Sequence, residues 1–305
     1  MHRRTFLANA LLVASTLALG GRAFATTMTR RTIPSTGESL GVVGFGTWQT
    51  FDVDPDDDDA MARLGTVLDV LFEHGGSMID ASPMYGRAET VVGDLLASRD
   101  RDDAFLATKL WTRGREAGVR QVEASVRRMA HGTTIDLMQV HNLVDWRTHL
   151  ETLRAMKDDG RIRYVGLTHY TDSGARSVLD VIESADGIDF VQCAYSLGER
   201  TVADALLPAC AERGIAFIAN RPFAGGGAFG ATRGHEVPDW ARDELGVETW
   251  AQFFLKFVLG DPRVICVIPG TGKVHHARDN VRAGFGPMPD AGQRRRMIAV
   301  WDGMR

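Results

Sequence analysis

Eight short apolar runs alternating with polar-faced helical stretches predict an α/β fold, a single (β/α)8 barrel preceded by a β-hairpin. Two further features point the same way. No GxGxxG follows the first run, which weighs against the rival doubly wound open sheet. Polar side chains suited to chemistry end several successive runs, as they do on the C-terminal face of a parallel barrel.

Taken in order, residues 1–25 read as an export signal rather than as fold. Met1-His2-Arg3-Arg4-Thr5-Phe6-Leu7 is a basic start, 8–19 is an apolar run of 12 residues, and Ala23-Phe24-Ala25 is a small-x-small cleavage pattern. A run of that length falls short of the roughly 20 residues that span a bilayer, so no stable membrane anchor is expected. Arg3-Arg4 followed by Phe6-Leu7 resembles a twin-arginine signal, which would engage the twin-arginine (Tat) export machinery and deliver a folded protein to the periplasm. An ordinary secretory signal that happens to carry Arg-Arg is the alternative.

Cleavage after Ala25 would leave 280 of 305 residues, enough for one large barrel domain over 26–305. It would also remove Arg3, Arg4 and Arg22, moving the formal net charge from −4 to −7. That balance offers no nucleic-acid surface. Cys193, Cys210 and Cys266 sit in apolar contexts, and their odd number argues against a disulfide framework. Folding in the reducing cytoplasm before export accounts for both observations.

Ser35-Thr36-Gly37-Glu38 reads as the turn of the leading hairpin, and 42–46 as the first barrel strand. Asp56 to Asp59 supply acids that favour a helix start, before an amphipathic run ending at Glu73. The remaining strands are expected around Ile79 and at 105–109, 135–140, 164–167, 190–192, 216–219 and 264–268. Helices such as 118–131 and 147–159 lie between them.

The chain is organised around Met78-Ile79-Asp80-Ala81-Ser82-Pro83-Met84-Tyr85-Gly86. Gly75-Gly76 precedes its apolar start, and Pro83 and Gly86 turn the chain at its end. Asp80 therefore ends a strand and Tyr85 sits on the loop beyond it. Lys109 ends the next strand and His141 the one after. Each has a plain structural reading, as a helix cap, a packed ring, a snorkelling lysine or a core histidine. Together on one barrel face they form an acid of tuned proton affinity. A free phenol titrates near ~10. A neighbouring ammonium is expected to lower that value while Asp80 holds the lysine. Such a tyrosine can protonate a carbonyl oxygen as hydride reaches the carbon.

These stretches resemble the aldo-keto reductase family over nearly the whole mature chain. The matching segments are GFGTW (44–48), IDASPMYGRAE (79–89), TKLW (108–111), MQVHN (138–142), GLTHY (166–170) and IPGTGKVHHARDN (268–280). The resemblance implies a nicotinamide-dependent carbonyl reductase with Tyr85 as proton donor, Lys109 and Asp80 as its tuners, and His141 orienting the carbonyl of a small-molecule substrate.

It also implies a cofactor site at Thr47, Thr168, His169, Gln192, Asn220, Arg221, Pro222, Phe223, Gly225, Thr271, Lys273, His276 and Asn280. Departures from the family pattern stand at His169 in place of Asn, Asn220 in place of a stacking aromatic ring, and His276 where NADP(H)-preferring members carry Arg. NADP(H) is favoured, with Lys273 supplying the missing charge, and dual use with NAD(H) stays open. Trp48, Met84 and Trp111 are expected in the substrate pocket, with help from Phe223 and Phe229. No metal is implied, and a monomer is expected. One rival stays open, a cofactor-binding regulatory barrel with marginal turnover; Tyr85, Asp80 and the IPGTG stretch argue against a second, a Schiff-base aldolase using Lys109, which needs no adenine site.

Overall fold

The computed structural model describes residues 27–305 except 100, 102, 132 and 133; the expected export signal lies outside them. A two-stranded antiparallel hairpin comes first, β1 (Arg30–Thr32) and β2 (Ser39–Gly41), turning through the predicted Ser35–Glu38 stretch. Eight parallel strands follow: β3 (Phe45–Gly46), β4 (Met78–Asp80), β5 (Phe105–Leu110), β6 (Ile135–His141), β7 (Ile162–Thr168), β8 (Phe190–Ala194), β9 (Ala216–Asn220) and β10 (Val264–Val267). Each pairs with its neighbour in sequence. Parallel bridges Val43–Val267 and Gly46–Gly270 bring the last strand back to the first and close the barrel.

Helices pack outside: α1 (Asp58–Glu73), α2 (Ala88–Ala97), α3 (Arg115–Met129), α4 (Trp146–Asp158), α5 (Gly174–Ser184), α6 (Leu206–Glu212), α7 (Ala228–Ala231), α8 (Asp239–Leu245), α9 (Trp250–Leu259), α10 (Val274–Arg282) and α11 (Ala291–Asp302). Local chemistry accounts for their starts. Asp57 caps α1 by accepting from the Ala60 N–H, with Asp58 and Asp59 in the first turn, so the acid run both caps and complements the dipole. Asp290 and Gln293 form a reciprocal capping box on α11. The predicted helices at 118–131 and 147–159 begin earlier, at Arg115 and Trp146, because loop residues ahead of them join the first turn. In α9, Phe253, Phe254, Leu255, Phe257, Val258 and Leu259 are all buried, so this helix lacks the polar stripe that marks an outer helix.

Two apolar layers result. One lies between barrel and helices. The other fills the barrel, where Met78, Phe105, Leu137, Tyr164, Phe190 and Ile218 point inward and meet Ile33 and Leu40 of the hairpin. The hairpin thereby stoppers the N-terminal end, and Thr36 Oγ1 lies 2.8 Å from the Tyr164 hydroxyl. The inner face turns polar one layer higher, at the opposite end. Among the described residues no helix is long and apolar enough to cross a membrane.

Candidate active site

Period-two alternation puts Asp80, Lys109, Gln139, Thr168, Gln192 and Asn220 on the inner face of β4 to β9, each two residues or a multiple of two beyond an apolar interior side chain. All six are buried. Lys109 Nζ donates to Asp80 Oδ2 at 2.6 Å and to the Ala81 carbonyl at 2.7 Å. Asp80 Oδ1 accepts from Gln139 Nε2 at 3.1 Å and Gln192 Nε2 at 2.9 Å. The carboxylate thus meets a cation on one oxygen and two amides on the other, which satisfies it where an isolated charge would be costly.

Tyr85 reaches this cluster from the turn after β4. Its N–H donates to the Ser82 carbonyl at 3.0 Å, with Pro83 in the turn between. Gly86 follows at φ +59°, and a Cβ there would lie 2.2 Å from Asp52 Oδ1, so both conformation and space require glycine. Asp52 Oδ1 accepts the Arg87 N–H at 3.0 Å and pins the far side of the loop. The Lys109 ammonium lies 5.2 Å from the centre of the Tyr85 ring.

The electrostatics correct one expectation. Burial raises the Tyr85 pKa, Lys109 lowers it and Asp80 raises it again, and the balance is upward. The phenol is therefore held protonated rather than eased toward phenolate. Burial disfavours the Lys109 ammonium, but Asp80 and then Tyr85 outweigh it and leave the pKa raised. Burial, with help from Lys109 and His169, drops His141 to about 3. His141 is a neutral imidazole at physiological pH, and its Nδ1 has no hydrogen-bond partner among the described residues.

A cleft of about 1070 Å³ opens over this cluster. Of the cofactor positions expected from sequence, Thr47, Thr168, Gln192, Asn220, Arg221, Pro222, Phe223, Gly225, Thr271, His276 and Asn280 line it, as do Trp48, Met84 and Trp111 of the expected substrate pocket. His169 and Lys273 do not. The His169 ring stacks on Tyr170 with centres 5.9 Å apart, and the Lys273 N–H serves Thr271 Oγ1 at 3.1 Å while its side chain is exposed. Both residues follow a strand end by one or more positions, and the loop turns them away.

Gln192 is more committed than the sequence suggests. Its Nε2 serves Asp80, and its Oε1 accepts from Thr168 Oγ1 at 3.0 Å and Asn220 Nδ2 at 3.3 Å. Asn220 Nδ2 also reaches the His169 carbonyl at 3.2 Å, whereas its buried Oδ1 has no partner among the described residues. Arg221 Nε is likewise buried without a partner. Three non-glycine lining residues, Gln49, Asn142 and Arg221, hold positive φ, the local strain that collects at functional ends of a fold. The sequence reading missed Gln139, Asn142, Tyr170 and Asp279. Gln139 was accessible from it: two residues before His141 on one strand, it faces the same way.

The model of the Aldo/keto reductase family matches residues 42–291. An uncharacterized oxidoreductase of Schizosaccharomyces pombe is 32% identical over 170 residues, 54% of this chain and 51% of that protein, so the chain spans about half the length of that curated relative. An aldo/keto reductase of Klebsiella pneumoniae, crystallised with NADP and acetate, superposes with a TM-score of 0.73 at 23% identity, covering 90% of this chain and 95% of that one. The holo form of an aldo-keto reductase of Bacillus halodurans gives 0.69 at 21% identity, covering 90% and 96%. At these identities the structural likeness speaks to the fold.

Proposed function

The chain belongs to the aldo/keto reductase family, and from that premise we propose that it reduces aldehyde or ketone carbonyls with NADP(H), using NAD(H) as well. The observation that carries this reading is the Asp80–Lys109 pair at 2.6 Å beneath Tyr85, with a neutral His141 on the same cleft.

The lining residues suit a dinucleotide. The cleft is large enough, and Asn220 Oδ1 and Arg221 Nε are buried polar atoms in want of partners. Asn220 and Thr168 would hold the amide end. Arg221 and the glycines after it would hold the pyrophosphate, where Gly225 and Gly226 take φ +67° and +93° and let backbone approach closely. Thr271, His276 and Asn280 would hold the adenosine end. When bound, the reduced nicotinamide supplies the hydride.

The protein's own groups do the rest. Tyr85, kept protonated by burial, gives its hydroxyl proton to the carbonyl oxygen as the carbon becomes tetrahedral. The Lys109 ammonium stabilises the phenolate left behind, and Asp80 with Gln139 and Gln192 holds that ammonium in place. His141 offers a ring N–H to the oxygen and does not compete as an acid. An aldehyde thereby becomes a primary alcohol, and solvent reprotonates Tyr85.

The phosphate end yields a test. Burial lowers the His276 pKa, with His275 and Lys273 adding to the effect against Asp279, so the imidazole offers no full charge at pH 7. His276→Arg should tighten NADP(H) roughly tenfold, since hydrogen bonds to charged groups contribute about 1.5–3 kcal/mol. NAD(H) affinity should change little. Titration of both nucleotides by fluorescence checks this, and equal changes would show that position 276 does not meet the phosphate.

Export through the twin-arginine route completes the proposal. Replacing Arg3 and Arg4 with Lys should leave folded, unprocessed protein in the cytoplasm, read by cell fractionation and N-terminal sequencing. Continued export with cleavage after Ala25 would point to the general secretory route, which asks only for positive charge.

A further inference from the structure

Among the described residues the large hydrophobics left exposed are Trp48, Trp111, Tyr170 and Phe229, and all four line the cleft above Tyr85. Single exposed aromatic residues scattered over a surface need no explanation, but their collection on one concave mouth does. Two of them flank the catalytic imidazole. The Trp111 ring stands edge-on to His141 with centres 6.2 Å apart, and Tyr170 lies 6.2 Å from the same ring at a tilt of 35°. A carbonyl whose oxygen is held by Tyr85 and His141 therefore has the substituent on its carbon beside these rings.

Tyr170 is a fixed platform. Its ring stacks on His169, with planes 15° apart. His169 is held in turn, its Nδ1 3.2 Å from Thr171 Oγ1. At that same nitrogen it closes against Gly174, where a Cβ would come within 1.9 Å. A ring already ordered in this way loses little freedom when it binds a partner. The histidine expected from sequence to touch the cofactor is instead the support beneath an aromatic surface.

Charge narrows the choice of partner. Asp80 and Lys109 neutralise each other, and the other charged residues on the cleft, Arg221 and Asp279, follow β9 and β10. The lining residues that follow β4 to β7 are Met84, Tyr85, Trp111, Asn142 and Tyr170, none of them charged. A substrate carboxylate or phosphate would lose its hydration there without gaining an ion pair.

We infer that the carbonyl compounds this site takes are uncharged and aryl, with a planar ring held against Tyr170 and Trp111 and with His169 positioning Tyr170. The inference rests on the reductase reading for the reaction, but the ring site is testable without turnover. The probes are amides that mimic the carbonyl and are not reduced: 2-naphthamide, its saturated counterpart decahydronaphthalene-2-carboxamide, and 6-carboxy-2-naphthamide. Binding to the purified full chain is read by calorimetry with NADP present and absent.

The planar amide should bind about tenfold tighter than the saturated one, because flat rings gain face and edge contacts that a puckered ring of equal size does not. The carboxylated amide should bind at least tenfold more weakly than 2-naphthamide. Tyr170→Leu should remove most of the planar preference, and His169→Asn a part of it. Equal affinity for planar and saturated probes, tighter binding of the carboxylate, or a preference that survives Tyr170→Leu would overturn the inference. If 2-naphthaldehyde and decanal are both reduced with similar kcat/KM, the ring site fails and the reductase reading stands. If the amides behave as expected and no aldehyde is reduced, the reductase reading fails and the ring site stands.

Discussion

A Tyr85→Phe variant should fold, bind nucleotide nearly as the parent does, and lose about 10²–10⁴ of its carbonyl reduction rate. The change deletes one oxygen from a half-buried ring and leaves the turn that carries it intact, since the Ser82–Tyr85 hydrogen bond is made by backbone. On the proposed mechanism only the proton transfer uses that oxygen. The parent's pH profile belongs to the same experiment. His141 titrates at about 3 and burial lifts Tyr85 above its ordinary value, so neither group changes charge between pH 5 and 8. Reduction at saturating substrate should be flat across that window and fall only in alkali, as the phenol loses its proton. Near-parental turnover in a folded Tyr85→Phe protein would remove the tyrosine from the mechanism. A step between pH 5 and 8 that disappears in His141→Gln would show that His141 does titrate there.

Lys109→Met should cost more in stability than any other single change at the site. It removes the cation from a carboxylate that is 3% exposed, and the amides of Gln139 and Gln192 remain only on the other oxygen. Breaking a buried ion pair from one side typically costs about 3–5 kcal/mol, because a charge stays behind without its partner. The urea midpoint should fall accordingly. Asp80→Asn in the same chain should recover much of the loss, since the uncompensated charge then goes too. Activity should vanish in both, because the phenolate formed on proton transfer has lost its ammonium. A single variant as stable as the parent, or a double variant no better than the single, would mean that this pair is not the electrostatic anchor of the site.

The local signals in this chain carried far. Apolar runs of strand length, the Ser35–Glu38 turn, the acids ahead of α1 and the Pro83–Gly86 turn depend on neighbours a few residues apart, so the order of strands and the hairpin were legible directly. Asp80, Lys109 and His141 were legible too, as polar side chains ending apolar strands. Alternation along β6 would also have exposed Gln139 as the inward neighbour of His141.

What the tertiary structure decided involves partners far apart in sequence and the balance of opposing terms. Gln139 and Gln192 meet Asp80 from 59 and 112 residues away, and only barrel closure sets which amide faces which oxygen. The direction of the Tyr85 shift is not legible in sequence, because the nearby ammonium is visible there while burial, which outweighs it, is a property of the assembled cleft. Loop direction was hidden in the same way. Family pattern placed His169 on the cofactor, whereas the backbone after β7 turns its ring beneath Tyr170, where the nearby Gly174 leaves room for it. Residue types and their period determine which side chains reach the end of a strand. Where each one then points depends on the space that the rest of the barrel leaves open.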